Sequence, residues 1–95
     1  MRRKQSFVDI VFAPKFRKSY AIYQEREQNR IDELVMALAK GVSTPGMRIK
    51  PIEPEKYYFE ARVNDGDRVI FRIENEALLV VDVVSHDLIG RYGKS

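Results

Sequence analysis

A change of hydrophobic period part-way along the chain constrains its fold more than any other feature. Between Pro14 and Lys40 the apolar residues recur at helical spacing, whereas from Lys56 onward they alternate. Odd positions hold Tyr57, Phe59, Ala61 and Val63, then Val69, Phe71 and Ile73, then Ala77, Leu79, Val81 and Val83. Even positions hold Tyr58, Glu60, Arg62, Arg68, Ile70, Arg72, Leu78, Val80, Asp82, Val84 and His86, and carry nearly all the charge. Alternation of this kind predicts antiparallel strands with one face buried and one polar. Both connections must then contain an odd number of residues if the odd set is to share a face. Asn64-Asp65-Gly66, with Gly66 left-handed, and Glu74-Asn75-Glu76 each supply three. The register that follows sets Arg62 opposite Arg68 and Arg68 opposite Asp82, with His86 further along the last strand. Like charges directly opposed on a sheet are unfavourable. Arg62, Arg68 and Arg72 together therefore predict a positively charged face, opposite the one that helices cover.

The N-terminal half supplies those helices. Phe7 to Phe12 alternates as a first strand, with Val8, Ile10 and Phe12 on one side. Pro14 suits a helix start because its missing N–H costs nothing there. Phe16, Tyr20 and Tyr23 follow at helical spacing, and Ile31, Leu34, Val35 and Leu38 keep an amphipathic pattern that Gly41 ends. With no Pro or Gly between Pro14 and Lys40, the residues alone allow a helical hairpin or one bent helix. Gly41 to Pro54 reads as a loop crossing to the sheet. The expected fold is α+β: two N-terminal helices in a hairpin, packed on one face of a small, mainly antiparallel, four-stranded sheet, in a single domain over residues 1–95.

Composition narrows the chemistry. The chain has no cysteine and one histidine, which excludes thiolate nucleophiles, disulfides and multi-histidine metal sites. No metal or other cofactor is expected. The basic start MRRKQ runs at once into Phe7-Val8-Asp9, too short an apolar run for a secretory signal or a membrane span, so a cytoplasmic protein without a membrane partner is expected. A net charge of +3 and a pI near 9.3 favour an anionic partner, nucleic acid or acidic protein.

The densest group of chemically useful residues is Ser85-His86-Asp87-Leu88-Ile89-Gly90-Arg91-Tyr92. A histidine at the end of an apolar strand, followed by Asp, Arg and Tyr, suits proton transfer and anion binding. Taken singly, His86 can merely close a strand, Arg91 can bind a carbonyl, and Tyr92 can pack. On one face with Arg62 and Arg68 they acquire a common purpose.

Several segments, in this order, carry a resemblance. They are the strand and helix pair, Lys50-Pro51-Ile52, Tyr57-Tyr58-Phe59-Glu60-Ala61-Arg62-Val63, Asp67-Arg68-Val69-Ile70-Phe71-Arg72-Ile73, and a valine-rich strand ending in His86-Asp87-Leu88-Ile89. Over roughly residues 7–92 the chain resembles the RelE/ParE toxin superfamily of bacterial type II toxin–antitoxin systems. The resemblance implies a cognate antitoxin protein as partner. It also implies a ribosome-dependent endoribonuclease that cuts mRNA on the ribosome without a metal. Catalytic residues carried over are Lys50, Arg68, His86 and Tyr92, with Arg62, Arg72 and Arg91 as RNA-binding residues. Lysine stands at position 50 where some relatives carry a glutamate base, and the chain ends three residues after Tyr92, so no C-terminal helix is expected. Metal-free RNA cleavage needs a base for the 2′-OH, an acid for the departing 5′ oxygen, and cations for the charge gained at phosphorus. His86 fits either proton role. Lys50 fits charge stabilisation, or a base role if its pKa is lowered, and the arginines fit phosphate. Two other functions stay open: a ParE-like poison of DNA gyrase acting by protein binding, and a binding module without toxicity.

Overall fold

The computed structural model describes residues 9–53 and 57–89. Five strands, β1 (Asp9–Phe12), β2 (Lys50–Pro51), β3 (Phe59–Arg62), β4 (Asp67–Glu74) and β5 (Ala77–Ser85), form one sheet in the order β1-β5-β4-β3-β2. Two helices, α1 (Pro14–Ile22) and α2 (Glu25–Ala39), lie between β1 and β2. The sheet is mainly antiparallel, but β1 runs parallel to β5. The fifth strand beyond the expected four is β2, two residues that pair with β3 at the sheet edge. Pro51, which has no N–H to donate, is tolerated in that edge position.

The helical hairpin forms without a glycine or proline at its bend. Tyr23 and Gln24 adopt extended backbone between the helices. Tyr23 is held there from outside: its hydroxyl donates to Asp67 Oδ1 at the start of β4, 2.9 Å away. Gln28 Nε2 donates to the Tyr20 carbonyl at 3.0 Å, a second bond to an acceptor that the Tyr23 backbone N–H already reaches at 3.1 Å. Glu25 and Glu27 in the first turn of α2 suit its positive end. Gly41, at φ 77°, ends α2 in a Schellman arrangement: Val42 N–H reaches the Ala37 carbonyl and Gly41 N–H the Leu38 carbonyl.

Ile31, Leu34, Val35 and Leu38 of α2 pack with Phe16 of α1 against Ala61, Val69, Phe71, Leu78, Val80 and Val83 of the sheet. Ile10 and Phe12 join this core while Val11 is exposed, as the alternation of the first strand predicts; Phe7 and Val8 lie outside the described residues.

The alternation over β4 and β5 is broken where sequence parity expects continuity. The β4–β5 turn holds two residues, not three: Glu74 pairs with Ala77, and Asn75 and Glu76 both have positive φ, 49° and 65°. Such a turn matches the right-handed twist of the strands it joins. It would invert the parity of β5, and a bulge between the Ile70–Asp82 and Phe71–Val80 pairs restores it, with Val81 as the extra residue. Leu78 and Val80 therefore enter the core where Leu79 and Val81 are expected. Arg62 does oppose Arg68, but Arg68 opposes Val84 and not Asp82. Asp82 is buried against α1 instead. It accepts a hydrogen bond from Ser19 Oγ at 2.6 Å and lies 3.8 Å from Lys15 Nζ.

The β3–β4 turn has the expected length, but Gly66 is not among the positive-φ residues. Asn64 shapes it: its Oδ1 accepts from the Gly66 and Asp67 backbone N–H groups at 2.8 and 2.9 Å.

Candidate functional site

The face away from the helices is built from the even positions of β3 and β4. Lys50, Glu60 and Ile70 form one cross-strand row, and Arg62, Arg68 and Val84 form the next. His86 follows two residues after Val84, and its backbone N–H donates to the Gly66 carbonyl at 2.8 Å. The β3–β4 turn thus has Arg62 and Arg68 on one side and His86 on the other.

Arg68 is the most constrained of the group, its side chain 12% exposed. Nη1 donates to the carbonyls of Asn64, Asp65 and Asp67 at 2.7, 3.3 and 3.0 Å. Nε lies 3.6 Å from Oε1 of Glu60, a carboxylate only 5% exposed. A guanidinium so held is aimed by rigid elements on both sides, and its Nη2 makes no hydrogen bond among the described residues.

The expectation of a face with uncompensated arginine charge is corrected. Arg62 pairs with Asp65, Arg68 with Glu60, and Arg72 with Glu74. Asp65 lies within the β3–β4 turn and Glu74 ends β4, each close enough in sequence to fold back on the neighbouring arginine. Nor is the whole face solvated, since Glu60 and Ile70 at its centre are buried. Lys50 and His86 are exposed.

The expected residues do not all converge. Arg62, Arg68 and His86 cluster at the β3–β4 turn. Lys50 stands on β2, two strands from β4 and therefore about 10 Å from it across the sheet. Arg72 lies four residues from Arg68 along β4, roughly 13 Å away. Its guanidinium carbon sits 4.2 Å from the centroid of the Tyr57 ring. Arg91 and Tyr92 lie outside the described residues. Sequence reasoning missed Glu60 as the partner of Arg68, although its even position on β3 already placed it on this face. It also missed Tyr57, assigned by parity to the helix side but in fact 53% exposed with its ring against Arg72.

Behind the turn, burial and then the hydrogen bond to Asp67 hold the Tyr23 phenol well above its ordinary pKa. It is a neutral donor that ties the helix bend to the strand carrying Arg68. Among the described residues no group of three or more His, Cys, Asp or Glu side chains is placed to hold a metal, and no helix is long and apolar enough to cross a membrane.

No protein-family model matches the chain, and no curated protein matches it. Solved structures do. YafQ from E. coli superposes with a TM-score of 0.74 at 19% identity, covering 85% of this chain and 96% of YafQ. A YoeB/ParE toxin from Agrobacterium tumefaciens gives a TM-score of 0.69 at 18% identity, covering 83% of this chain and 99% of that one. The RelBE2 toxin–antitoxin complex from Mycobacterium tuberculosis gives 0.65 at 18% identity, covering 82% and 96%. The chain has the RelE/ParE-like toxin fold. The likeness extends over 82–85% of this chain and nearly the whole of each of these proteins.

Proposed function

We propose that this protein is the toxin of a type II toxin–antitoxin pair, a cytoplasmic endoribonuclease that cuts mRNA on the ribosome without a metal. The observation that carries the reading is the fixed guanidinium of Arg68, flanked across one turn by the exposed imidazole of His86. In the reaction the 2′-oxygen of one nucleotide attacks the adjacent phosphorus and the bond to the 5′ oxygen breaks. The products are a 2′,3′-cyclic phosphate and a free 5′-hydroxyl. One proton leaves the 2′-OH and one is delivered to the 5′ oxygen, and His86 takes one of these roles. Arg68 binds a non-bridging phosphate oxygen through Nη2, where negative charge grows. Lys50, farther off, contributes long-range positive potential and strand contacts. The ribosome would supply the remaining alignment, in keeping with a face on which most arginine charge is already neutralised.

The antitoxin reading draws on the resemblance and on the solved relatives described as toxin–antitoxin complexes. The same neutralised arginines favour a second reading, a gyrase poison that acts through protein contacts and needs no phosphate-binding face. Induction in cells, followed by primer extension on one message with and without its start codon, separates the two. Cuts confined to the translated message support the nuclease. Intact messages together with inhibited gyrase supercoiling support the alternative.

A further inference from the structure

The end of the sheet face farthest from His86 carries an aromatic feature that phosphate chemistry does not use. Tyr57 precedes β3, and its ring lies over the Arg72 guanidinium, 4.2 Å from centroid to central carbon. The Tyr58 ring is nearly perpendicular to that of Tyr57, with centroids 5.0 Å apart at 72°. The ring is thus covered on one face by a cation and packed against a second aromatic, yet Tyr57 remains 53% exposed. Arg72 is in turn fixed by Glu74, and its side chain is 16% exposed. A tyrosine that served only to pack would have its ring covered on both sides. Here the ring is backed by a guanidinium while more than half of the residue stays exposed, which suits it to accept a flat partner at little entropic cost.

We propose that Tyr57, backed by Arg72, is a stacking subsite for an unpaired nucleobase of the bound RNA. Every base presents a π-face, and an aromatic ring resting on a guanidinium takes one without reading its sequence. Arg72 and Arg68 lie on the same face of β4, roughly 13 Å apart along the strand. The base held at Tyr57 therefore belongs to a nucleotide flanking the one that is cut. The subsite fixes the path of the strand across the sheet, while Arg68 and His86 act on the phosphate. This inference rests on the RNA-cleaving reading and adds to it a contact that recognises base and not backbone.

The test uses ribosomes programmed with a 2′-O-methylated message, which cannot be cut, carrying the fluorescent base 2-aminopurine at one position at a time across the decoding site. Stacking quenches this base. Wild-type protein and Tyr57→Phe should quench it at a flanking position, while Tyr57→Leu should leave it bright there and bind about ten- to a hundred-fold more weakly. Circular dichroism checks that the variants fold; Tyr57 is exposed and outside the strands, so both should. Quenching by Tyr57→Leu equal to wild type overturns the subsite. Loss of quenching in Tyr57→Phe overturns it too, since the hydroxyl and not the ring would then matter, as does binding with no quenched position. A wild-type protein that neither binds these ribosomes nor cuts an unmodified message removes the nuclease reading itself, and the subsite with it.

Discussion

Glu60 Oε1 lies 3.6 Å from Arg68 Nε, and the two side chains are 5% and 12% exposed. Diagonal neighbours on adjacent strands, they make the site's central cation part of the sheet's own electrostatics. Removing one member of a nearly buried pair leaves the other uncompensated, which costs far more than the pair contributes. Arg68→Ala should therefore lower stability by about 3 kcal/mol, with the lost turn carbonyl bonds included. Glu60→Gln combined with Arg68→Ala should cost clearly less than the sum of the single changes. Urea denaturation of the four proteins measures this coupling. Additive losses would mean that the two groups do not interact.

The Asn75-Glu76 turn places a glutamate at φ 65°, in the left-handed region that favours glycine. Glu76→Gly should relieve this and stabilise the protein by about 1 kcal/mol, read as a raised thermal midpoint. A lowered midpoint would contradict the two-residue turn.

The bulge at Val81 decides which leucine is in the core. Leu78 is 0% exposed and should cost about 2–5 kcal/mol on replacement by alanine. Leu79→Ala, at a partly exposed position, should cost less than half of that. The reverse order would restore the uninterrupted alternation that the sequence predicts.

Tyr23 gives the protein a pH dependence on the alkaline side. Its folded pKa is raised above the ordinary value of 10.0, so between those two values the folded state holds a proton that the unfolded chain has lost. The stability from this group is full below the unfolded pKa and declines as pH rises through the window up to the folded one. Tyr23→Phe should cost roughly 0.5–1.5 kcal/mol at neutral pH and show a shallower decline above about pH 10. A variant with an unchanged alkaline slope would show that the Tyr23 phenol does not govern it.

The fold was legible because the period change between the two halves is strong and Pro14 and Gly41 mark helix ends unambiguously. The hairpin bend was not, because Tyr23 is held there by Asp67, forty-four residues away. The register of β5 was misread because a two-residue turn and a bulge offset each other in parity, so the pattern near Val83 looks the same either way. At the site, Arg68 lies mid-strand on β4, on the face its even position predicts, but His86 lies in a short 3-10 turn just past β5 and not on the strand. The charge balance was not legible, because Asp65 in the β3–β4 turn and Glu74 at the end of β4 have side chains that reach back to arginines only after folding. Tyr57 escaped because it lies just before β3, where strand parity no longer governs direction.

The most direct test of the nuclease account is cleavage of a ribosome-bound message by purified wild type, Arg68→Lys and His86→Ala, followed by primer extension, with circular dichroism to confirm folding. Arg68→Lys keeps a charge beside Glu60 but loses the fork that binds a phosphate oxygen while holding the turn. The account predicts that wild type cuts and that each folded variant is slower by on the order of a hundredfold or more. Folded variants that cut as fast as wild type, or a wild type that leaves the message whole while inhibiting gyrase, would contradict it.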